Sequence, residues 1–432
     1  MRPPQSIRPL YAMKSYGKNG NINSIAKLFC IETQAMRYSS NQQQQQQSGS
    51  GWQKFGWKYI APIGLLTSVG ASMYLASEKS PLKDQKPNVA KKAYKTPGPE
   101  SYELDLDDEK PGYYKNSSLP MHQRMEAFVT DLQKQIIQGL EEQDPTAKFE
   151  LDKWAREDGK GYGISGIVQN SEVYEKGGVN ISIIHGKLSP GQIQSMRARK
   201  NTNVLEDGID YDFNVAGISL VIHPHNPMAP TAHANYRYFE VSRHDDPTHT
   251  PVLSWFGGGA DLTPSYLFEE DATHFHRTLK NACDHHEASF YPRFKQWCDK
   301  YFMNTHRGET RGVGGIFFDD LDEKDAEDLF KFVYSAGKAF VPSYVPLVAK
   351  RKDMGFTEEN KRWQQLRRGR YVEFNLIHDR GTKFGLMTPG VRIESVLMSL
   401  PLTARWEYCH SPGQNSREQR LVDVLKNPRE WA

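Results

Sequence analysis

The sequence predicts an α+β fold, in which one large and mainly antiparallel β-sheet is flanked by helical layers. Two observations predict it. Runs rich in β-branched and aromatic residues follow one another through short connections, as in strands that pair in sequence order. The long helical patterns come in groups instead of alternating strictly with these runs, whereas strict alternation would favour a parallel sheet.

The strand pattern recurs along the C-terminal three quarters of the chain, where Val, Ile, Tyr and Phe are concentrated between turn residues. The predicted strands are residues 163–170, 179–185, 213–223, 233–243, 252–256, 315–319 and 371–378. The fifth ends at three consecutive glycines.

Four helices are predicted from apolar residues spaced three to four positions apart. The first carries Met125, Phe128 and Leu132 on one face. The second is expected to start after Thr263-Pro264, since proline favours the first turn of a helix. The third contains Phe294, Trp297 and Tyr301, and the fourth covers residues 326–339.

The N-terminal region has the composition of a targeting signal. Residues 1–77 contain eight Lys and Arg against one acid, and an uncharged run of 19 residues fills 59–77. We therefore predict a mitochondrial presequence over 1–77, a disordered proline-rich linker over 78–119, and one globular domain over 120–432.

The run over 59–77 is just long enough to cross a bilayer, although Pro62, Gly64 and Gly70 weaken it. One interpretation is a two-part sorting signal that delivers the body to the mitochondrial intermembrane space. The alternative is a permanent anchor in, or a peripheral association with, the inner membrane.

Composition excludes several classes of protein. The four cysteines show no C-x-x-C spacing, which disfavours a disulfide scaffold or a structural zinc site. Outside the basic N-terminal region, acids slightly outnumber Lys and Arg, which disfavours nucleic-acid binding. The His-x-His pairs at 223–225 and 274–276 do not have the spacing of a coherent metal site.

The segment T-A-H-A-N-Y-R-Y-F-E, residues 231–240, places His233, Asn235 and Arg237 on one face of a strand. A proton-exchanging imidazole, an amide and a guanidinium in one row indicate a binding site for an acidic ligand. The alternative is an ordinary solvated strand face.

The segment W-F-G-G-G-A-D-L-T-P, residues 255–264, places Asp261 just after three glycines that permit close approach of a ligand. Asp261 could face the N–H groups of a ligand or could cap the following helix. Further on, Arg residues accompany glycine-rich stretches, which favours a small polyanionic ligand.

Several long blocks of sequence occur together between about residue 120 and the C-terminus. They are G-G-V-N-I-S-I-I-H-G (177–186), residues 223–240, residues 255–264, H-R-G-E-T-R-G-V-G-G-I-F-F-D-D (306–320), R-R-G-R-Y-V-E-F-N-L (367–376), D-R-G-T-K-F-G-L (379–386) and S-L-P-L-T-A-R-W-E-Y (399–408). Together these blocks resemble oxygen-dependent coproporphyrinogen III oxidase, and residues 1–119 lie outside the resemblance.

The resemblance implies an oxidative decarboxylation in haem biosynthesis. Two propionate groups of coproporphyrinogen III become vinyl groups, which gives protoporphyrinogen IX, while O2 is consumed and CO2 and H2O2 are released. It implies no metal and no organic cofactor, a homodimer, and a large antiparallel sheet between helices.

The resemblance also implies roles for individual residues. His233 matches a proton donor, Asp261 a carboxylate facing pyrrole N–H groups, and His306 a dimer contact. The residues that match substrate contacts are Ser219, Asn235, Tyr236, Arg237, Arg311, Gly390, Val391 and Arg392.

Two other classes stay open at the level of the sequence. One is a metal-dependent oxygenase that uses the His pairs, and the other is a tetrapyrrole carrier without catalytic activity.

Overall fold

The computed structural model describes residues 116–156, 159–200, 202–387 and 392–432. The predicted presequence and all but the end of the predicted linker lie outside these residues, as do Gly390 and Val391. Among the described helices, none combines the length and the apolar character needed to cross a bilayer.

The strands confirm the predicted antiparallel sheet. Seven strands pair antiparallel in the order β1-β2-β3-β4-β5-β6-β9, and β7 pairs with β8 in a small separate ladder. The strands are β1 (Glu150–Ala155), β2 (Gly161–Gln169), β3 (Tyr174–Lys187), β4 (Tyr211–Pro224), β5 (Thr231–Arg243), β6 (Pro251–Thr263), β7 (Met303–Asn304), β8 (Glu309–Thr310) and β9 (Gly314–Leu321). Neighbours in the sheet are mostly neighbours in sequence, as the short connections predict.

The helices cover the sheet in layers. They are α1 (Met121–Glu141), α2 (Pro190–Lys200), α3 (Glu269–Asp284), α4 (Phe290–Tyr301), α5 (Ala326–Lys338), α6 (Phe340–Arg351), α7 (Glu358–Glu373), α8 (Arg380–Met387), α9 (Ile393–Leu397) and α10 (Arg417–Lys426). A π-helical turn, Phe374–His378, continues α7.

The two faces of the central strands differ in chemistry because side chains alternate along a strand. On β5, Ala234, Tyr236 and Tyr238 point into the main hydrophobic core, where α1 and α5 pack. The other face carries His233 and Asn235. This segregation confirms the alternation predicted for residues 231–240.

The prediction of a short strand ending at Phe256 is wrong, because β6 continues through Gly257–Gly259 to Thr263. The following helix begins at Glu269, so Asp261 lies inside a strand and caps no helix. The strand needs glycine at position 257 because a side chain there would collide: a Cβ would lie 2.6 Å from the Arg237 guanidinium.

The predicted strand over 371–378 is also wrong, because these residues end α7 and form the π-helical turn. Their β-branched and aromatic residues favour a strand locally, but tertiary contacts override that preference. A capping box between Thr357 and Asn360 starts the helix. Within the helix, buried Arg367 forms an ion pair with Glu309 at 2.8 Å.

Candidate active site

Strand pairing places two polar rows side by side on the face opposite the main core. In one row, Asn180 of β3, Ser219 of β4 and Asn235 of β5 are direct partners in register. In the next row, His233 of β5 is the partner of Asp261 of β6. The sheet therefore forms a polar floor, of which strand alternation in the sequence predicted only the part on β5.

Asp261 is the centre of a compact charged cluster. Its Oδ1 lies 2.8 Å from Nδ1 of His233, and Arg311 donates from Nη2 to both carboxylate oxygens at 2.9 and 2.7 Å. Asp261 and Arg311 are 2% and 3% exposed, and Arg311 is among the residues that line a cavity above the floor. The His233 side chain is more open, at 19%, and it lines the same cavity.

The electrostatics of the cluster favour an ionised Asp261. Burial alone would raise the pKa of the carboxyl, but the Arg311 guanidinium and the His233 hydrogen bond outweigh it and hold the pKa below its usual value. Ionised Asp261 accepts the hydrogen bond, so Nδ1 of His233 carries a proton. The other ring nitrogen, Nε2, has no hydrogen-bond partner among the described residues, so it is available to a ligand in the cavity.

Aromatic rings hold Arg311 in place. Its guanidinium carbon lies 4.1 Å from the ring centre of Phe302, 4.5 Å from that of Tyr371 and 5.0 Å from that of Phe374. Such cation–π contacts are stronger where water is absent. Burial also raises the pKa of Tyr371 to about 12, so its hydroxyl stays protonated.

Arg237 lies on the same face of β5 as Asn235, beside the floor, and does not line the cavity. It is 2% exposed, donates from Nη2 to Asp319 at 2.7 Å, and donates from Nη1 to the Asn235 side-chain oxygen at 2.5 Å. The Asn235 amide nitrogen in turn donates to the Ile218 carbonyl at 3.1 Å. Arg237 therefore fixes the orientation of Asn235.

The segments 374–387 and 392–399, which we call the cover, close the cavity from above. Asn375, Asp379, Thr382, Val396 and Met398 of the cover line it together with Phe302 and Phe317. In this closed arrangement the free volume is only about 60 Å³.

The other predicted site residues are placed as follows. Ser219 lines the cavity. The Tyr236 side chain lies in the opposite core and donates to the Ala336 carbonyl at 2.8 Å, so it supports the floor from behind. Arg392 pairs with Asp152 of β1. His306 lies apart, on the surface, 2.9 Å from His378 and 2.8 Å from Glu373.

Sequence reasoning missed Asn180 and the residues of the cover that line the cavity. Asn180 is 5% exposed and its side-chain oxygen has no partner among the described residues, although it faces the cavity. The available signal was a single asparagine in the run V-N-I-S-I-I, which is otherwise apolar except for Ser182. Asn375 was masked by the wrong strand prediction.

The histidine pairs are engaged in structural hydrogen bonds. His223 bonds the Ser399 carbonyl at 2.9 Å, His276 the Val313 carbonyl at 3.1 Å, and His274 the Pro342 carbonyl at 2.9 Å. Within the described ranges, no group of three His, Cys, Asp or Glu side chains is arranged to hold a metal ion.

A larger groove of about 640 Å³ lies between α1 and strands β2–β4. Its lining includes Glu126, Asp131 and Lys134 but none of the residues of the two polar rows. Its size alone does not make it a site for chemistry, because the buried carboxylate–imidazole–guanidinium cluster faces the smaller cavity.

The fold and the cluster are those of an enzyme in which the polar face of a sheet carries a carboxylate–imidazole pair beneath a helical cover. Residues 124–431 match the family model described as "Coproporphyrinogen III oxidase". Over 311 residues the chain is 56% identical to the human protein named oxygen-dependent coproporphyrinogen-III oxidase, mitochondrial, covering 72% of this chain and 67% of the human one.

Similarity extends to insects and plants. The Drosophila melanogaster oxygen-dependent coproporphyrinogen-III oxidase is 54% identical over 312 residues, which cover 72% of this chain and 78% of the fly protein. The Arabidopsis thaliana coproporphyrinogen-III oxidase 1, chloroplastic, is 48% identical over 344 residues, which cover 80% of this chain and 87% of the plant protein. The chain belongs to the coproporphyrinogen III oxidase family, which confirms the resemblance of its sequence blocks.

Proposed function

We propose that the cavity between the polar floor and the cover is where this enzyme oxidises coproporphyrinogen III. The reaction is that of an oxygen-dependent coproporphyrinogen-III oxidase: each propionate side chain and one O2 give a vinyl group, one CO2 and one H2O2. Two such steps give protoporphyrinogen IX. The observation that carries the proposal is the buried Asp261–His233 pair, whose imidazole opens into the cavity.

His233 is the group that exchanges a proton with the substrate in this proposal. Its Nδ1 proton is held by Asp261, so Nε2 is free to accept a pyrrole N–H proton and later to return it. Removing that proton makes the reduced pyrrole more electron-rich and hence more reactive towards O2. The substrate itself supplies the electrons.

Asp261 acts through His233 in this scheme. An ionised carboxylate stabilises the imidazolium that forms and keeps the ring in one tautomer, as in other acid–imidazole pairs. Arg311 keeps Asp261 ionised at 2.7–2.9 Å. The sequence suggested that Asp261 itself meets the pyrrole N–H groups, but its 2% exposure favours the indirect role.

The polar row of Asn180, Ser219 and Asn235 would receive the face and N–H groups of the macrocycle, while Phe302 and Phe317 supply apolar walls. A free volume of about 60 Å³ is far below the roughly 300–1,000 Å³ of small-molecule sites. Binding therefore requires the cover to move away from the floor.

The decisive assay mixes purified protein with coproporphyrinogen III in air and under nitrogen. We expect two CO2 and two H2O2 for each protoporphyrinogen IX in air, and none under nitrogen. Tight binding without CO2 release would instead identify a tetrapyrrole carrier.

We propose that no metal and no organic cofactor takes part. In support, His223, His274 and His276 are all committed to backbone carbonyls. Turnover should survive exhaustive chelation. Loss of turnover that one added metal restores would identify the metal-dependent oxygenase.

We propose a homodimer that uses the surface around His306. His306 stacks on His378 with ring centres 5.1 Å apart, and the large apolar side chains Ile377, Trp406 and Tyr408 are 47%, 54% and 99% exposed. Sedimentation at micromolar concentration should give a dimer, and His306→Ala should weaken it. A monomer at that concentration would contradict this.

We propose that residues 1–77 direct the protein to the mitochondrial intermembrane space, that 78–119 form a linker, and that 120–432 form the catalytic domain. The basic, acid-poor composition of the first segment supports this, and the mammalian relatives are named mitochondrial. Protease protection in intact and outer-membrane-ruptured mitochondria tests the location. Full activity of residues 111–432 tests the boundaries.

A further inference from the structure

Met398 places a thioether at the wall of the reaction cavity. The side chain is 6% exposed, lies at the end of the cover, and lines the same cavity as His233 and Ser219. Within the described residues, it is the sole sulfur-bearing side chain of that lining. Its Sδ accepts a hydrogen bond from the Asn180 amide nitrogen at 2.9 Å.

We propose that Met398 is a site of oxidation by the enzyme's own product: hydrogen peroxide released in the closed cavity converts the Met398 thioether to the sulfoxide, and this limits the number of turnovers. The inference rests on the proposed function, because that reaction supplies the oxidant. It adds a modification site on the cover and a mechanism of turnover-dependent inactivation.

The step is balanced without any further reactant. The sulfur lone pair attacks one peroxide oxygen, the O–O bond breaks, and an S–O bond forms. The sulfur loses two electrons, the peroxide gains them, and the second oxygen leaves with two protons as water. One methionine sulfoxide and one water therefore form from one thioether and one H2O2.

Chemistry directs the peroxide to Met398 and away from Cys298, a buried thiol that packs with the cavity walls Phe302 and Phe317. Cys298 is fully buried and does not line the cavity, and burial raises the pKa of its thiol well above the usual value. A protonated thiol is a poor nucleophile. A thioether needs no deprotonation, and the Asn180 amide that already contacts the sulfur can donate to the sulfoxide oxygen.

The closed form leaves no room for the added oxygen on the side of Met398 that faces the floor. Met398 fills a recess above Gly178, where even a Cβ would lie 1.9 Å from Sδ. On either side, Lys176 donates to the Leu397 carbonyl at 3.2 Å and His223 bonds the Ser399 carbonyl at 2.9 Å. The sulfoxide of Met398 is larger and more polar, so it would break these hydrogen bonds between the sheet and the cover. The cover would then no longer close.

The experiment follows methionine oxidation by peptide mass spectrometry during aerobic turnover of the full chain, with catalase in the medium. The internal references are Met387, which is 82% exposed, and Met121, which is partly exposed. Because exposure normally governs oxidation, bulk H2O2 without substrate should oxidise Met387 ahead of Met398 by about tenfold. Turnover with catalase should reverse that order.

The expected result is that Met398 sulfoxide rises in parallel with loss of activity and that catalase protects Met387 but not Met398. Protection of both by catalase, oxidation of Met387 first during turnover, or full inactivation with unmodified Met398 would each overturn the proposal. CO2 release is recorded in the same samples. If no CO2 appears, the proposed function itself fails, and the oxidation proposal fails with it.

A second variant separates oxidation from cover packing. Met398→Leu keeps an apolar side chain of similar volume but has no sulfur. We expect the total turnovers before inactivation, divided by the initial rate, to rise by about fivefold or more, since the oxidisable group is gone. An unchanged ratio would show that inactivation proceeds elsewhere.

Discussion

Two buried clusters in this molecule use the same residue types for opposite purposes. In the first, Asp261 is paired with Arg311 and His233. In the second, Glu175 is paired with Arg368, and His223 lies beside it. Both combine a carboxylate and an imidazole from neighbouring strands of one sheet with a guanidinium from outside that sheet.

The two clusters differ in whether every polar atom has a hydrogen-bond partner within the protein. Glu175 accepts from Arg368, from the Thr403 amide at 3.1 Å and from the Thr403 hydroxyl at 2.7 Å, and His223 uses both ring nitrogens. Burial lowers the pKa of His223 to about 3, so it stays neutral. His233, in contrast, has one bonded nitrogen and one that faces a cavity. Residue type alone therefore does not identify the catalytic cluster.

The largest expected effect separates the clusters by activity. Asp261→Asn removes the charge that holds the His233 tautomer, so the chemical step should slow by roughly 10²–10⁴-fold. Rapid-mixing measurement of CO2 release checks the rate, and circular dichroism checks the fold.

The matched change in the other cluster should act on stability. Glu175→Gln leaves buried Arg368 without its carboxylate, which should cost about 3–5 kcal/mol in the free energy of unfolding. Urea denaturation measures this cost, and kcat of the folded variant should change by less than about tenfold, since Glu175 lies outside the cavity lining. A catalytic loss as large as that of Asp261→Asn would remove the distinction between the clusters.

A smaller effect is expected at Arg237, beside the floor. Arg237→Lys keeps the charge but cannot contact Asp319 and Asn235 at once, so Asn235 should lose its fixed orientation. The expected loss in kcat/KM corresponds to about 1.5–3 kcal/mol, the scale of a hydrogen bond to a charged group. A lower kcat/KM with unaltered thermal stability would show that Arg237 positions Asn235. An unchanged kcat/KM would show that it does not.

The smallest effect concerns acid stability. Burial would raise the pKa of Glu175, but Arg368 and Thr403 outweigh it and lower the pKa from 4.5 to about 2. As pH falls, the Glu175 carboxylate is therefore protonated in the unfolded chain before it is protonated in the folded one. Its contribution to the free energy of unfolding is complete above pH 4.5 and declines towards pH 2. Urea denaturation at a series of pH values over that range gives the dependence of the free energy of unfolding on pH. The slope of this dependence should be shallower in Glu175→Gln, by the equivalent of up to about one bound proton. An unchanged slope would contradict the assignment.

The fold could be predicted where local pattern and tertiary structure agree. Alternation on β4 and β5 predicted the sheet and the shared face of His233 and Asn235, because the period of two is a property of the strand itself. The strand ending at Phe256 was wrong because three glycines usually break a strand, whereas here Arg237 lies across Gly257 and fills the space.

The sequence predicted several residues of the candidate site, but it did not predict which of them contact one another. His233 and Asp261 are 28 residues apart in sequence and meet only because β5 and β6 pair in one register. Arg311 reaches them from a loop after β8, and Met398 from the cover, and no local pattern encodes either approach. Long-range register and side-chain packing are therefore what the structure adds.

The most direct test of the central claim is a crystal structure with coproporphyrin III, the oxidised and unreactive form of the substrate. The macrocycle should lie between the floor and an opened cover, with a pyrrole nitrogen at about 3 Å from Nε2 of His233. A macrocycle bound in the groove between α1 and strands β2–β4, with the central cavity still closed, would contradict the account.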